Sequence, residues 1–211
     1  MSNSSAGAEE VVDVAFPVQG AKVPLDHGYA LFSALSRIIP ALHSMTSLGV
    51  HPIRGVKTER GHLTLRAGSS VTLRIRPTEL GGLMSLIGKT LELDGNTITL
   101  LPPRIWPVRP VAALKAHIVT IKNHTERATF VDALRVQLAA TPDLGQDPQS
   151  INVVVPEVKQ GRRIMTIAGK KVVGFAVGLD GLTVTASLAV QRHGLGGRRH
   201  MGAGLFQPAR G

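Results

Sequence analysis

The first residues that could do chemistry lie in the stretch "LDHGYALFSALSRIIPALH" (25–43). Its apolar residues recur at helical spacing, which predicts a helix capped by Asp26. His27 then lies at the helix N-terminus, whose dipole disfavours the protonated ring, while Asp26 favours it. His43 lies at the far end. Both are candidate proton-transfer groups, because histidine titrates near neutral pH, and Tyr29 could orient one of them or donate to a phosphate.

The second such stretch is "GLGGRRHMGAGLF" (194–206), with five glycines around three basic side chains. Glycine lets a backbone approach phosphates and turn its amides toward them, and arginine binds phosphate through two hydrogen bonds. The loop therefore predicts phosphate contacts. They come from the glycines and basic residues Gly196, Gly197, Arg198, Arg199 and His200. The alternative is a tight connection between two elements, with solvated charges.

A second basic cluster lies in "VKQGRRIMTIAGKK" (158–171). Its cations are Lys159, Arg162, Arg163, Lys170 and Lys171. A basic hairpin or loop of this kind could hold a double-stranded RNA stem, because A-form RNA is read mainly through its shape and backbone. An ordinary solvated hairpin is the alternative.

The overall charge agrees with a polyanionic partner. The formal net charge is +10, and residues 151–211 carry nine Lys/Arg against two Asp/Glu. Phosphates are bound mainly by such cations, whereas an aromatic content of 3% disfavours extensive base stacking. The chain has no cysteine, no apolar run long enough to span a membrane and no signal-peptide pattern at its start. We therefore expect a cytoplasmic protein without a membrane partner.

The elements that must position these residues follow one order twice. Residues 10–103 predict β-α-β-β-α-β, including a hairpin of 63–67 and 71–77 with a solvent-facing, arginine-bearing side that holds Arg74 and Arg76. Residues 111–211 predict the same order and end in the glycine-rich loop. We therefore predict an α+β fold of two tandem ferredoxin-like (βαββαβ) units. Residues 1–9 read as a disordered tail and 101–110 as a proline-rich connector.

Four blocks carry a family resemblance: "VDVAFPVQG" (12–20), the stretch 25–43, "GVHPIRG" (49–55) and the loop 194–206. Together they resemble the CRISPR-associated RAMP endoribonucleases that process CRISPR precursor RNA, in the compact subtype first defined in myxobacterial systems. The resemblance implies cleavage in or beside a repeat stem-loop. The upstream 2′-hydroxyl attacks the phosphate and leaves a 2′,3′-cyclic phosphate and a 5′-hydroxyl. It also implies that neither a metal nor another cofactor takes part.

The resemblance also implies site residues and partners. The catalytic histidine of the family commonly lies on the first helix, which points to His27 with Tyr29, and His43 is the second candidate. His51 could be the acid, a phosphate contact or part of a turn. The implied partners are CRISPR repeat RNA, guide RNA and other effector subunits. Two alternatives stay open, which are a non-catalytic RAMP-like guide-RNA-binding subunit of an interference or transposition complex and another basic RNA-binding protein.

Overall fold

The computed structural model describes residues 10–58 and 61–209. These form two larger β-sheets, a small third sheet and five α-helices, joined by loops and short 3₁₀ turns. The strands are β1 Val12–Gln19, β2 Lys22–Pro24, β3 Gly49–His51, β4 Val56–Lys57, β5 His62–Thr64, β6 Ser70–Ile75, β7 Thr90–Leu93, β8 Asn96–Leu100, β9 Arg104–Pro107, β10 Leu114–Val119, β11 Asn152–Val154, β12 Arg162–Ile167, β13 Lys170–Asp180 and β14 Gln207–Pro208. The helices are α1 Gly28–Ile38, α2 Leu80–Leu83, α3 Arg127–Ala139, α4 Val158–Gly161 and α5 Val184–His193. The predicted tail, 1–9, lies outside the described residues.

The first larger sheet has the strand order β3-β6-β1-β8-β7, and β9 also pairs with β1. Its strands pair antiparallel throughout. Val14 and Phe16 of β1 belong to the same buried apolar cluster as Leu31 and Leu35 of α1. This cluster fixes α1 against one face of the sheet, because alternate residues of a strand point to the same side.

The predicted first helix is confirmed, but its predicted cap is wrong. His27, not Asp26, immediately precedes α1, and no side chain caps the helix. Asp26 instead accepts a hydrogen bond of 2.6 Å from the amide of Thr166 in β12. A 3₁₀ turn, Pro40–His43, follows α1 because proline cannot continue an α-helix.

The predicted hairpin of residues 63–67 and 71–77 is also wrong. β5 pairs with β2 and β4 in the small third sheet, whereas β6 pairs with β1 and β3. Alternation identified both strands correctly but could not identify their partners, because a pairing across a longer connection leaves no local pattern.

The second larger sheet has the order β11-β13-β10-β14, and β12 pairs with β13 as a long hairpin. The apolar face of α3, with Phe130, Leu134 and Leu138, is fully buried against this sheet together with Phe175 and Val190. The α+β fold class is therefore confirmed. The division into units at residues 103 and 111 stays a proposal, since the expected connector contributes β9 to the first sheet. No helix in the described ranges is long and apolar enough to cross a membrane.

Arg74 joins the two halves of the chain. Its Nε and Nη2 each donate to Asp13 at 2.8 Å, and its Nη1 donates to the carbonyl oxygens of Gln191 at 3.0 Å and Phe206 at 2.8 Å. The side chain is 1% exposed. The prediction that Arg74 lies on a solvent-facing side is therefore wrong. The sheet face that carries it is covered by the C-terminal half, and Leu205 packs over Gly49 of β3 on that face.

Candidate active site

A cleft of about 280 Å³ lies between the 3₁₀ turn after α1 and the glycine-rich loop. Its polar lining includes His43 and Ser44 from the turn and Arg198, Arg199 and His200 from the loop. The sequence places these two segments more than 150 residues apart, so the fold alone brings them together. A concave site that combines histidines with arginines suits proton transfer beside a bound phosphate.

Phe32 of α1 holds the two histidines of the cleft. Its ring centroid lies 5.0 Å from that of His43, edge-on, and 4.5 Å from that of His200, tilted by 50°. Burial, His43 and Arg198 lower the pKa of His200 below its ordinary value, in that order of importance. At neutral pH the His200 ring is therefore unprotonated and able to accept a proton.

Tyr29 lies one helical turn before Phe32, on the same side of α1, because residues three apart are neighbours on a helix. Its side chain is 39% exposed. The backbone of α1 meets the glycine-rich loop here, since a Cβ on Gly28 would collide with the carbonyl oxygen of Met201. Tyr29 therefore lies on the same side of α1 as Phe32, which contacts both histidines.

His27 has a different environment from the other candidates. It is 3% exposed, the Ile53 amide donates to its Nε2 at 2.8 Å, and its Nδ1 lies 2.9 Å from the carbonyl oxygen of Pro24. Since Nε2 accepts, the proton is on Nδ1 and is donated to Pro24. Burial is the largest cause that lowers the pKa of His27. Both ring nitrogens are engaged with backbone, so the geometry favours a structural role over the predicted catalytic one.

The two arginines of the loop differ in how free they are. Within the described residues, the side chain of Arg198 makes one long hydrogen bond of 3.5 Å, to the Thr120 hydroxyl. The Nη2 of Arg199 donates to the carbonyl oxygens of Arg192 at 2.7 Å and Ser47 at 3.4 Å, and burial lowers its pKa to about 10. Arg199 therefore stays charged at neutral pH but is held by the protein, and Arg198 is the cation best placed to turn toward a ligand.

Comparison with known proteins decides the family. A sequence model described as Cas6 Crispr matches residues 12–211. The chain belongs to the Cas6 family. It is 47% identical, over 200 residues, to a protein of Myxococcus xanthus (strain DK1622) named CRISPR-associated endonuclease Cas6. That match covers 93% of this chain and 81% of the relative.

Solved structures share the fold of this Cas6-family chain. A Cas6-related protein from Pyrococcus furiosus has a TM-score of 0.63 at 13% identity, covering 94% of this chain and 97% of its own. A CRISPR associated protein Cas6 has a TM-score of 0.61 at 12% identity, with 95% and 99% covered. These likenesses support the ferredoxin-like fold predicted from the order of elements.

Most amides of the glycine-rich loop in this Cas6-family chain are already engaged. Gly196 donates to Oε1 of Gln137 at 2.7 Å, and Gly197 donates to the carbonyl oxygen of Thr120 at 2.9 Å. Gly204 donates to Ile118 at 2.8 Å. The geometry does not support the predicted phosphate cradle of Gly196 and Gly197 amides. These hydrogen bonds attach the loop to the rest of the C-terminal half, and the side chains of Arg198 and His200 line the cleft.

A substitution at Gly196 tests whether the tight packing of this loop contributes to stability. We predict that Gly196→Ala lowers the free energy of unfolding by about 2–5 kcal/mol, since its φ is +80° and an added Cβ would lie 2.6 Å from the carbonyl oxygen of Thr120. Gly197→Ala is the matched control, because no atom lies within 4 Å of an added Cβ there. Urea denaturation measures both, and equal midpoints for the two variants would contradict the prediction.

The second predicted basic cluster forms the hairpin of β12 and β13, preceded by Lys159 in α4. Opposed residues share a face, so Arg163 and Lys170 lie on the side where Met165 packs on Ile118. Arg162 and Lys171 are exposed and lie on the other side of the hairpin, the side on which Phe175 opposite Arg162 is buried. The five predicted cations of this cluster therefore do not form one surface.

His51 and Phe32 show what residue types alone could not reveal. His51 is buried in β3, with Nδ1 2.6 Å from Nε2 of Gln207 and Nε2 3.5 Å from Asp13. It therefore belongs to the junction around Arg74, not to the cleft. Phe32 reads in the sequence as an ordinary core position, and no local signal indicates that two histidines lie against it.

Proposed function

We propose that this Cas6-family chain is an endoribonuclease that cleaves CRISPR precursor RNA within or beside the repeat stem-loop, without a metal ion. The observation that carries the proposal is the convergence of His43, His200 and Arg198 in one cleft. The name of the Myxococcus xanthus relative supports the reaction class. The RNA substrate fits the net charge of +10.

The proposed reaction breaks one phosphorus–oxygen bond. A base removes the proton of the 2′-hydroxyl upstream of the cut, and O2′ attacks the phosphorus. The bond from phosphorus to O5′ breaks, and an acid donates a proton to O5′. The products are a 2′,3′-cyclic phosphate and a 5′-hydroxyl, with no redox change. The chemistry needs one base, one acid and a cation near the phosphorane.

Three residues of the cleft, together with Tyr29 on the neighbouring helix α1, divide these roles. His200, whose pKa is lowered, is the base because its ring is unprotonated at neutral pH. His43, which also contacts the Phe32 ring, is the acid that protonates O5′. Arg198 binds the phosphate oxygens and stabilises the charge that develops on them, and Tyr29 donates a hydrogen bond to the same phosphate.

RNA outside the cut site is bound by the remaining predicted cations. Lys159, Arg162 and Lys171 are exposed, and we assign them to the backbone of the stem. Repeat RNA is thus the substrate and guide RNA the product. Further effector subunits are partners to which we assign no surface.

Cleavage of the cognate repeat RNA in excess EDTA tests the function. We expect full activity and a product that ends in a 2′,3′-cyclic phosphate, and no cleavage when the nucleotide 5′ of the cut carries 2′-hydrogen instead of 2′-hydroxyl. A requirement for Mg²⁺, or a 3′-hydroxyl product, would contradict the mechanism. Tight binding without cleavage would favour a non-catalytic guide-RNA-binding subunit.

A further inference from the structure

An exposed tryptophan marks a surface that the cleft does not use. Trp106 in β9 is 48% exposed and is the only tryptophan of the chain. Arg104, two residues earlier on the same strand, projects from the same face. Its backbone pairs with β1, but within the described residues its guanidinium makes no hydrogen bond or ion pair. A large apolar ring beside an unpaired cation is the combination that recurs at binding sites.

The charge around Trp106 fits an anionic ligand. Residues 95–125 contain four Lys/Arg, at 104, 109, 115 and 122, and no Asp or Glu. The carboxylate opposite Trp106 across the strand pair is Asp13, and Arg74 already binds both of its oxygens at 2.8 Å. Asp13 therefore adds little negative potential at this surface.

The backbone of this segment disfavours a partner that adds a β-strand. The edge of a sheet recruits another strand through free N–H groups, and proline has none. Four prolines interrupt the segment, at 102, 103, 107 and 110. The available groups are thus the face of the indole ring and the guanidinium, which match a base and a phosphate.

We propose that Trp106 and Arg104 bind single-stranded RNA, with a base stacked on the indole ring and the adjacent phosphate on the guanidinium. The proposal rests on RNA as the substrate, as stated above, and adds a second contact outside the cleft. Stacking accepts any base, because every base has a π-face. We therefore expect binding without sequence preference.

This site is separate from the cleft. Trp106, Asp13, Arg74 and Gly49 form one row across the first sheet. Three strand spacings place Trp106 about 14 Å from Gly49, which lies on the edge strand nearest the cleft. RNA that is bound on Trp106 is therefore a flanking, unpaired segment and not the nucleotide that is cut.

Because Trp106 is the sole tryptophan, its fluorescence reports on this surface alone. The experiment titrates the full chain with a 12-nucleotide oligouridylate and with the repeat RNA. We expect quenched emission and reduced access of acrylamide to the indole. Trp106→Ala should weaken oligouridylate binding by about 5-fold to 100-fold, and Trp106→Phe should retain most of the affinity. Arg104→Ala should make the plot of log affinity against log salt concentration less steep, by about the amount that one lost phosphate contact accounts for.

Val184→Ala is the control, because Val184 is an exposed apolar side chain on α5. It should bind oligouridylate as the wild type does. Unchanged fluorescence at saturating RNA, or unchanged affinity of Trp106→Ala, would overturn the proposal and leave the surface to a protein partner. Repeat cleavage in the same samples separates the two proposals. Cleavage without quenching overturns only this site, and quenching without cleavage overturns only the nuclease.

Discussion

Replacing either His43 or His200 by alanine is expected to lower the single-turnover rate of repeat-RNA cleavage by about 10²–10⁴-fold. Each histidine has a separate proton to move, and within the described residues the lining of the cleft contains no third histidine to replace either of them. RNA affinity should change little, because neither ring is the main phosphate ligand. The measurement is cleavage at saturating protein, with binding assayed separately on the RNA that carries 2′-hydrogen at the cut.

The pH profile assigns the base. The pKa of His200 lies below its ordinary value of about 6.5, so the acidic limb of kcat/KM should fall below that pH. Arg198 is one of the charges that lower it. Arg198→Ala should therefore raise the pKa of His200 and move the acidic limb to higher pH, besides weakening binding. A limb that stays in place would contradict His200 as the base.

His27 and His124 provide the controls for this prediction. His27→Ala should lower thermal stability, because it removes the acceptor of the Ile53 amide and the donor to Pro24, yet keep its cleavage rate well below the melting temperature. His124→Ala lies in a different groove, beside α3, and should cleave as the wild type does. A folded His27→Ala variant without cleavage, beside active His43→Ala and His200→Ala, would restore the assignment made from the sequence.

The sequence predicted the elements better than their partners. Apolar spacing predicts α1 and, over residues 125–141, α3, and the Asp94-Gly95 turn predicts the hairpin of β7 and β8 within residues 89–101. All three form, because each is encoded by its own residues. Periodicity could not predict that β5 belongs to the small sheet. It also could not predict that the connector supplies β9. Such pairings depend on contacts between distant segments, which a local pattern does not record.

The candidate site, like the fold, could be predicted from the sequence only in part. The residue types of the loop 194–206 and of the helix 25–43 indicated a site that handles phosphate, and the fold does place the two segments together. The choice among the histidines depends on burial. His27 occupies the favourable sequence position at a helix start, but only the structure shows that Ile53 and Pro24 take both of its nitrogens.

Arg74→Met is expected to lower the free energy of unfolding by about 3–5 kcal/mol, because removal of one partner of a buried ion pair leaves the other charge uncompensated. The change also removes the donor for the carbonyl oxygens of Gln191 and Phe206, which flank the glycine-rich loop. A typical domain has only about 5–15 kcal/mol of stability, so this is a large fraction. Urea denaturation measures it.

Arg76→Ala is the matched control, two residues further along the chain. Its side chain is 38% exposed and pairs with Glu79 at 2.8 Å, so solvent screens the pair and the loss should be at most about 1 kcal/mol. Asp13→Leu combined with Arg74→Met should recover part of the loss of either single change, since an apolar pair needs no compensating charge. A strictly additive double variant would show that the two side chains are not coupled.

Low pH should also lower the free energy of unfolding in the wild type, because it protonates Asp13. The two hydrogen bonds from Arg74, with a smaller effect of His51 at 3.5 Å, outweigh the opposing effect of burial and hold the pKa of Asp13 well below its usual range. A carboxylate with a lowered pKa stabilises the fold fully above its unfolded pKa of about 3.9, and that contribution declines as the pH falls further. The difference in stability between wild type and Asp13→Asn should therefore shrink below pH 4.

Because Arg74 fixes both flanks of the loop that carries Arg198 and His200, variants of this pair should lose cleavage and stability together, whereas variants of the cleft should lose cleavage alone.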